Sequence, residues 1–586
     1  METIDLNTIK TPADIRNMNL DQLKALATQI RKALIEKVSA HGGHVGPNLG
    51  MVEAVIALHY VFDTPKDEIV FDVSHQTYPH KMLTGRANAF TDVAHYDDVT
   101  GYTNPRESIY DLFSLGHTSS AVALASGLAK ARDMQGGKQN VVAVIGDGSL
   151  SGGIAFEGLD YGATLGSNFI VVVNDNQMSI AENHGGIYAD LSMLRTTRGE
   201  GEPNLFRAMG YAYRYVHAGN DLGKLIEMFR SVKDIDHPVV VHINTFKGLG
   251  LKVAEQNKEQ FHWSVPFDPE TGKALVQDSE EDYIDIFANE MLAQMKANPK
   301  VATITAGTPG AIGFGAGRRA QAGKQFIDVG IAEQQAVDLA AGMAKGGVRP
   351  VFGVVSTFLQ RAYDQFSQDA ALNRQPAVFN VVYASMFGMN DETHLGFFDL
   401  GLLSNIPGML VLTPTSKEEY LSMLRWSIEQ TVTPVVVRQP GGAVFHNPNA
   451  QLLTDYSKPA YEVVRKGERA ALIGVGTFLP VMLEAADNLA KEGMNVTVIN
   501  PRNVSDLDKD ALDALRNYDI VITAEDGIVD GGFGQKVASY LGEAPVKVVN
   551  LGLPKEFLNR FDAAEVQRAC GMTAEQIAER VIKEIK

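Results

Sequence analysis

The segment from residue 140 to residue 180, NVVAVIGDGSLSGGIAFEGLDYGATLGSNFIVVVNDNQMSI, constrains the fold more than any other. Its two short β-branched runs, 141–145 and 169–173, predict buried parallel strands, and residues 150–165 between them predict a crossover helix. Such a strand–helix–strand unit is typical of an α/β fold. Because the carboxyl ends of parallel strands meet at one edge of a sheet, the motifs GDG and NDN that follow the two strands are expected to face one crevice.

The chemistry of these two motifs favours a cation beside a phosphate. Asp147 of GDG and Asn176 of NDN offer carboxylate and amide oxygens, the hard ligands that Mg²⁺ prefers while it keeps other positions for diphosphate and water. Glycine lets the backbone approach a ligand closely, and a helix N-terminus attracts an anion. GDG alone is also an ordinary turn, so the prediction depends on both motifs following neighbouring strands.

The length and charge of the chain bound its class. With 586 residues and a prior of about 150 residues per domain, three or four domains are expected. A net charge of −18 argues against nucleic acid or an anionic membrane as a partner, because an acidic surface repels phosphate. The first residues lack a signal-peptide pattern, no run approaches the ~18 apolar residues of a membrane span, and a single cysteine, Cys570, cannot form an intramolecular disulfide. We expect a cytoplasmic protein.

Other segments carry candidate polar groups. Residues 20–38 have helical spacing and predict a helix, which the glycine-rich HGGHVGPNLG of residues 41–50 would follow as a loop. Histidines recur nearby, but their spacing matches no common zinc site, so contacts to phosphate and hydroxyl groups are favoured. The Gly-His-Thr-Ser-Ser cluster before an alanine-rich helix is either a helix cap or a diphosphate cradle.

The order strand, GDG, helix, strand, NDN resembles the thiamine diphosphate signature of transketolase-type enzymes. The wording NDNQMSI, with GGH, LHYVF, HQTYPHK and LTGR, is similar to the 1-deoxy-D-xylulose-5-phosphate synthase family over nearly the whole chain. The resemblance implies three α/β domains of transketolase type with mainly parallel sheets flanked by helices. Residues 1–267 would bind diphosphate, residues 281–444 the pyrimidine, and residues 459–586 would form the C-terminal domain. Polar, turn-rich residues 268–282 and 445–459 are the predicted linkers.

The resemblance also implies a reaction and its partners. Thiamine diphosphate and Mg²⁺ would be the cofactors, pyruvate the 2-oxo acid donor, and an aldehyde such as glyceraldehyde 3-phosphate the acceptor. A homodimer is implied, with the site either within one subunit or between two. The C-terminal domain, with its GGFGQ turn, shows no catalytic constellation and is expected to serve mainly in subunit contact. A non-catalytic thiamine-binding relative is the alternative of another class, and the presence of Glu333 argues against it.

Single residues receive roles from the same resemblance. The metal is expected on Asp147, Asn176 and the carbonyl of Met178. The catalytic residues would be Glu333, beside the aminopyrimidine ring, with His44, His117, His262 and His394 for proton transfer and oxygen orientation. The cofactor contacts would be His75, Gly116, His117, Ser119, Gly146, Gly148, Ser149, Lys247 and Phe358. Structural alternatives exist, since Glu333 also suits a helix dipole, Phe358 a core, and Lys247 a surface.

The predicted acceptor residues depart from the family. Arg361 is present and, with Tyr383 and Asn390, is assigned to the acceptor. Tyr383 and Gly441 stand where the family has arginines that bind the acceptor phosphate, Asn390 replaces an aspartate, and Val355 replaces a tyrosine. Each lost charged hydrogen bond to phosphate costs roughly 1.5–3 kcal/mol. Two hypotheses stay open: the family's own reaction with a rebuilt phosphate pocket, or a paralogue or transketolase whose acceptor lacks this phosphate or carries it elsewhere.

Overall fold

The computed structural model describes residues 4–276 and 281–585 of the chain. The chain divides into two compact units, Met1–Asp278 with Gly330–Ala332, and Ser279–Val329 with Glu333–Lys586. The predicted linker over 268–282 includes residues 277–280, which lie outside the described residues. Within the described ranges, no helix combines the length and the hydrophobicity that crossing a bilayer would require.

The first unit is built on a parallel sheet. Its strands are β1 (Gly43–His44), β2 (Glu68–Phe71), β3 (Val141–Gly146), β4 (Phe169–Asp175), β5 (Ala212–Val216), β6 (Pro238–Asn244) and β7 (Trp263–Ser264). Five of them form one sheet in the order β2-β3-β4-β6-β5, with every neighbouring pair parallel. Strands β1 and β7 form a separate antiparallel pair. The two predicted strands are confirmed as β3 and β4.

The runs 141–145 of β3 and 169–173 of β4 are apolar because both faces of the sheet are covered. Val142 and Val144 of β3 pack into one buried cluster, and Val141, Ala143 and Ile145 pack into another on the opposite face. Side chains alternate between the faces of a strand, so a strand buried on both sides cannot show the alternation of polar and apolar residues typical of a half-exposed sheet.

Helices cover both faces of this sheet. They are α1 (Leu20–His41), α2 (Gly46–Val61), α3 (Tyr78–Lys81), α4 (Asn88–Thr91), α5 (Ala121–Met134), α6 (Gly153–Gly162), α7 (Ile187–Thr196), α8 (Leu205–Ala208), α9 (Leu222–Val232) and α10 (Lys252–Gln256). The predicted helix over 20–38 is confirmed as α1. The crossover helix is shorter than predicted, because a 3₁₀ turn, Gly148–Ser151, comes before α6.

The predicted loop over 41–50 is wrong, since α2 already begins at Gly46. Pro47 suits the first turn of a helix because its missing N–H has no partner to lose there. A Cβ on Gly46 would lie 3.0 Å from the carbonyl oxygen of Phe261, and one on Gly50 would lie 3.1 Å from that of Phe246. The glycines therefore let α2 pack closely against neighbouring backbone.

The second unit contains two further sheets. Its strands are β8 (Val301–Thr305), β9 (Phe326–Asp328), β10 (Arg349–Val355), β11 (Val378–Val382), β12 (Leu410–Leu412), β13 (Val435–Arg438), β14 (Glu462–Arg465), β15 (Ala470–Gly474), β16 (Thr497–Asn500), β17 (Ile520–Ile528) and β18 (Lys547–Leu553). One sheet has the order β12-β13-β11-β10-β8-β9, and the other has the order β14-β16-β15-β17-β18. Neighbouring strands are parallel except for the pair β14 and β16.

Helices and buried ion pairs complete the second unit. The helices are α11 (Tyr283–Ala297), α12 (Ala316–Ala322), α13 (Glu333–Lys345), α14 (Ser356–Leu359), α15 (Asp399–Leu403), α16 (Lys417–Glu429), α17 (Leu479–Lys491), α18 (Lys509–Asp513), α19 (Phe533–Leu541), α20 (Ala563–Ala569) and α21 (Ala574–Ile585). Buried Arg438 of β13 pairs with Asp399 and, across to the other sheet, with Asp526. The predicted fold class, mainly parallel sheets flanked by helices, is confirmed. The division into three domains stays a prediction.

Candidate active site

Asp147 lies at the carboxyl end of β3, where 1% of its surface is exposed. Its carboxylate accepts a hydrogen bond of 2.6 Å from the side-chain amide of Asn183 and one of 3.4 Å from the backbone N–H of Asn176. Burial raises the pKa of Asp147 to about 7, and the nearby charge of Asp175 adds to the rise. The carboxylate therefore has a fixed, buried position at the edge where β3 and β4 end.

The NDN turn after β4 is held by hydrogen bonds of its own. Asn176 Oδ1 accepts a hydrogen bond of 3.1 Å from the backbone N–H of Met178. Asp175 Oδ2 lies 2.9 Å from Nε2 of buried His242, which fixes the middle of the turn. The structure thus brings Asp147 and Asn176 together, with Met178 two residues further along the same turn.

The surroundings of Asp147 fit a hard cation with phosphate oxygens. A Cβ on Gly146 would meet nothing within 4 Å, whereas one on Gly148 would lie 2.9 Å from the Cα of Ser179, so the first glycine borders open space and the second permits a close approach. Ser179 Oγ and Asn183 Oδ1 are buried without a hydrogen-bond partner. Among the residues that the structure describes, no three His, Cys, Asp or Glu side chains are grouped to hold a metal. A cation here would therefore also need amide and carbonyl oxygens.

Three of the predicted histidines form one cluster in the first unit. The ring centroid of His44 lies 4.9 Å from that of His75 and 5.8 Å from that of His262, and the last two rings stack at 5.1 Å. The ring of Tyr102 lies 5.6 Å from His44. The side-chain amide of Asn48 donates to the carbonyls of His44 and His75, at 2.8 Å each. Sequence reasoning missed Tyr102 and Asn48, which no local pattern marks.

Lys247 joins this cluster to the NDN turn. Its ammonium group donates to the carbonyl of Ser179 at 2.6 Å and lies 3.1 Å from Nδ1 of His262. Burial lowers the pKa of Lys247 to about 7, because an apolar environment disfavours the charged form. Lys247 is buried beside the NDN turn, so the structural alternative of a surface lysine is wrong, and His262 next to it is half-buried.

The segment Gly116–Ser120 before α5 is held by an unexpected carboxylate. Asp72, directly after β2, accepts hydrogen bonds from the backbone N–H groups of Ser119 at 2.8 Å and Ala121 at 3.0 Å. Ser119 has a φ of 76°, is fully buried, and donates from Oγ to the carbonyl of Ser149 at 2.8 Å. Asp72 therefore caps the helix, and Ser119 fixes the turn that follows Asp147. The other predicted contacts in the segment are Gly116, which is buried, and His117, which is half-buried.

Glu333 is the first residue of α13 in the second unit, with 3% of its surface exposed. Nη1 of Arg361 donates to Glu333 Oε2 at 3.2 Å. Burial raises the pKa of Glu333, and the Arg361 charge opposes the rise. A carboxyl group with raised proton affinity suits proton exchange with a ring nitrogen. The structure places Arg361, predicted to bind the acceptor, against Glu333, a contact between segments that sequence reasoning missed.

Phe358 and His394 meet in the second unit. Their ring centroids are 5.6 Å apart, with an angle of 75° between the planes. Ser356 Oγ donates to the carbonyl of Gly396 at 2.8 Å and so joins the start of α14 to the loop that carries His394. Nδ1 of His394 lies 2.8 Å from Oγ1 of Thr393. An aromatic face beside a histidine suits stacking on a flat ring with a polar group nearby.

Of the positions predicted to face the acceptor, Arg361 is charged, whereas Tyr383, Asn390 and Gly441 are uncharged and lie in loops. Tyr383 follows β11 with a φ of 52° and is 37% exposed. The Asn390 amide donates to the carbonyl of Phe561 at 3.1 Å, so this side chain already has a backbone partner. A Cβ on Gly441 would lie 3.0 Å from the Cβ of Ser385, so a larger residue would displace that loop slightly.

Comparison with known proteins identifies the relatives of this chain. The N-terminal family described as 1-deoxy-D-xylulose-5-phosphate synthase matches residues 6–202, the transketolase pyrimidine-binding domain matches residues 279–445, and the transketolase C-terminal domain matches residues 460–577. The 1-deoxy-D-xylulose-5-phosphate synthase 1 of Geobacter sulfurreducens is 39% identical, over 98% of this chain and 96% of its own. The synthase of Desulforudis audaxviator is 37% identical, over 98% and 96% respectively. A solved transketolase from Campylobacter jejuni is 17% identical, covers 97% of this chain and 100% of its own, and has a TM-score of 0.45.

The fold and the matched domains define a thiamine diphosphate-dependent transferase of the transketolase type. Within that class, identity above 35% over nearly the full length of named relatives is decisive. The chain belongs to the 1-deoxy-D-xylulose-5-phosphate synthase family.

Proposed function

We propose that the chain is a carboligase that uses thiamine diphosphate and Mg²⁺, takes a two-carbon unit from pyruvate and adds it to an aldehyde such as glyceraldehyde 3-phosphate. The observation that carries the proposal is Asp147, buried at the edge where β3 and β4 end, with Asn176 beside it. Buried Glu333 at the start of α13 supports catalysis rather than binding alone.

The oxygens of Asp147 and Asn176 and the carbonyl of Met178 would hold Mg²⁺ against the diphosphate. Their hard oxygen donors match this cation, and the open space beside Gly146 leaves room for an anion. The other contacts proposed for the cofactor are His75, Gly116, His117, Ser119, Gly148, Ser149, Lys247 and Phe358. Ser119 would act by holding the turn, since its hydroxyl already donates to the backbone carbonyl of Ser149.

Bound thiamine diphosphate would supply a nucleophilic carbon that can add to the keto carbon of a 2-oxo acid, which allows the acid to lose CO₂. Glu333 would share a proton with the ring nitrogen of the aminopyrimidine, and the rise of its pKa on burial favours such sharing. His44, His117, His262 and His394 would transfer protons or orient substrate oxygens. We also infer a homodimer, with the site either within one subunit or between two.

A second candidate is the same chemistry with an acceptor that lacks the phosphate. The observation that favours it is the contact between Arg361 and Glu333, because an arginine engaged by a carboxylate is less available to a phosphate dianion. Tyr383 and Gly441 add no positive charge where the family uses arginines. On this hypothesis, Arg361 serves Glu333 and the acceptor is a neutral aldehyde.

A donor and acceptor screen tests both candidates. Pyruvate is combined with glyceraldehyde 3-phosphate or with free glyceraldehyde, ketose phosphates serve as alternative donors, and products are identified by mass spectrometry. A KM for glyceraldehyde 3-phosphate well below that for glyceraldehyde supports the family's own reaction and rejects the second candidate. Equal KM values support the second candidate, and no product from any pair would overturn the carboligase proposal. Light scattering of the active enzyme tests the homodimer, which a fully active monomer would refute.

A further inference from the structure

The stretch of residues 96–120 carries site residues although it contains no strand and no α-helix. Tyr102 of this stretch lies against His44, and the segment Gly116–Ser119 leads to the turn beside Asp147. A long irregular stretch holds one conformation only where its backbone groups find fixed partners. Two carboxylates of the stretch itself, Asp111 and Glu107, accept hydrogen bonds from its backbone. Both also pair with side chains of the segment HQTYPHKMLTGR, residues 75–86, in which only His75 has a proposed role.

Asp111 is the inner of the two carboxylates, with 2% of its surface exposed. Its Oδ2 accepts a hydrogen bond of 2.8 Å from the backbone N–H of Asn104 and one of 2.7 Å from Arg86. Its Oδ1 accepts another from Arg86 at 2.8 Å and lies 2.8 Å from Nε2 of His80. Although burial opposes it, the hydrogen bonds from Arg86 and His80 hold the pKa of Asp111 well below its usual range. Asp111 thus fixes the middle of the stretch to the buried side chains of Arg86 and His80.

Glu107, which precedes Asp111 in the stretch, likewise accepts hydrogen bonds from a backbone N–H and from buried cations. Its Oε1 accepts a hydrogen bond of 2.6 Å from the backbone N–H of Thr100. Its Oε2 accepts hydrogen bonds from Lys81 at 2.5 Å and from Arg86 at 3.1 Å. The two carboxylates balance the two cations when His80 is neutral, so an added proton would leave an uncompensated buried charge.

The position of His80 is itself determined by His59. Nε2 of His59 lies 2.8 Å from Nδ1 of His80, and Nδ1 of His59 lies 3.1 Å from Oγ1 of Thr64. All three side chains are buried. If His80 donates from Nε2 to Asp111, its Nδ1 accepts from His59, whose Nδ1 then accepts from the Thr64 hydroxyl. Every group in this chain is satisfied with both histidines neutral.

We propose that His80 and Asp111, oriented by His59, are positioning residues that hold residues 99–118 in the conformation that the diphosphate site requires. Neither side chain would touch cofactor or substrate; both act through the backbone of the stretch. The proposal rests on the proposed function only in naming the diphosphate as the group that the ordered stretch serves.

The test compares two substitutions of His80 in the full-length, cofactor-free protein. His80→Gln places an amide N–H where Nε2 was and keeps a donor for Asp111, whereas His80→Asn is too short to reach it. Hydrogen exchange followed by mass spectrometry measures the backbone amides of residues 99–118. We expect exchange in this peptide to accelerate by about tenfold or more in His80→Asn and to stay within about threefold of wild type in His80→Gln. His237→Gln, which removes an exposed histidine paired with Asp236, is the matched control and should change nothing.

Calorimetric titration with thiamine diphosphate and Mg²⁺ then tests whether the fixed conformation of residues 99–118 is needed for binding. The Kd should rise about tenfold in His80→Asn and be restored in His80→Gln. If His80→Asn does not fold, Glu107→Gln replaces it, because this side chain is more exposed and its change should loosen the amide of Thr100. Unchanged exchange in a folded variant would overturn the proposal. Faster exchange in a protein that never binds thiamine diphosphate would instead overturn the proposed function and leave the positioning role intact.

Discussion

The groups around Asp147 and the two uncharged residues predicted to bind the acceptor, Tyr383 and Asn390, differ in how firmly they are held. Asp147 is buried and accepts hydrogen bonds from two residues, and its neighbour Lys247 is buried with two polar partners of its own. Tyr383 is 37% exposed, and Asn390 is exposed on a loop. The residues around Asp147 lie in motifs that resemble those of the family, whereas Tyr383 and Asn390 differ from the family's residues at their positions. Residues that must satisfy several buried neighbours cannot change singly, but loop residues can, and so acceptor choice is free to diverge while cofactor chemistry stays.

Glu333→Gln gives the sharpest test of the catalytic half of this comparison. Glutamine keeps the shape and the helix start but cannot exchange a proton, so exchange of the proton on the reactive carbon of bound thiamine diphosphate should slow by roughly 10²–10⁴-fold. Cofactor affinity should stay close to that of wild type, because the metal and diphosphate contacts are unchanged. Rapid-quench NMR measures the exchange and calorimetry the affinity. A normal exchange rate in the variant would remove Glu333 from its catalytic role.

Asp147→Ala tests whether the buried carboxylate is essential to cofactor binding. If Asp147 holds the metal as proposed, its loss should raise the Kd for thiamine diphosphate with Mg²⁺ by about a hundredfold or more, as measured by calorimetry. Asp160→Ala, an exposed carboxylate on α6, is the matched control and should bind as wild type does. Wild-type affinity in Asp147→Ala would refute the metal assignment. It would also show that the buried residues around Asp147 tolerate single changes as well as the loop residues predicted for the acceptor do.

Tyr383→Arg tests the other half, where a single change should be tolerated. The backbone φ of 52° is equally strained for both residues, so the substitution changes mainly the side-chain charge. One charged hydrogen bond to phosphate is worth about 1.5–3 kcal/mol, so the KM for glyceraldehyde 3-phosphate should fall about tenfold or more, with the KM for glyceraldehyde unchanged. Tyr383→Gln is the uncharged control. An equal change in both KM values would show that this position does not face the acceptor phosphate.

The pH dependence of stability gives the smallest effect and probes the buried half without any cofactor. Burial lowers the pKa of His59 well below 6.5, the ordinary value, and lowers that of His80. Above pH 6.5 these histidines are neutral in both the folded and the unfolded chain and do not lower the free energy of unfolding. As the pH drops from 6.5 toward the lowered pKa, only the unfolded chain takes up the proton, so the free energy of unfolding falls by about 1.4 kcal/mol per pH unit for each such histidine. His59→Gln should lose less stability between pH 7.5 and pH 5.5 in urea unfolding. The charged or titratable groups that act on His59 are His80, Arg16, Arg86 and Asp111.

In this experiment His237→Gln serves as the control, because that side chain is exposed. It should show the same loss of stability on acidification as wild type. An equally steep loss in His59→Gln would mean that the buried histidine pair does not couple folding to protonation.

The sequence predicts those parts of the molecule that local patterns control. The continuous apolar runs of β3 and β4 identify buried strands, and GDG and NDN mark the edge where Asp147 and Asn176 meet. The start of α13 at Glu333 also follows from local pattern. The start of α2 does not, because its glycines suggest a loop until the close approach of Phe246 and Phe261 is known.

Contacts between distant segments account for what the sequence did not reveal. Asp72 caps a helix that begins 49 residues later, as its hydrogen bond to Ala121 shows. Arg361 contacts Glu333 from another element, 28 residues away. Asn183 reaches Asp147 from a separate loop. A polar residue carries no local mark of a partner that only the folded chain supplies, so single-sequence patterns cannot assign such pairs.

The hydrogen bond from Asn183 to Asp147 also affects how quickly the protein could bind its metal ion. A cation that binds through Oδ2 of Asp147 would compete with this amide, so binding by that oxygen would be an exchange of partners. The rate of loading would then reach a plateau at high magnesium concentration, set by how often the loop around Asn183 swings away. A protein stripped of its cofactor would on this account be slow to reactivate, with a lag that more magnesium cannot shorten.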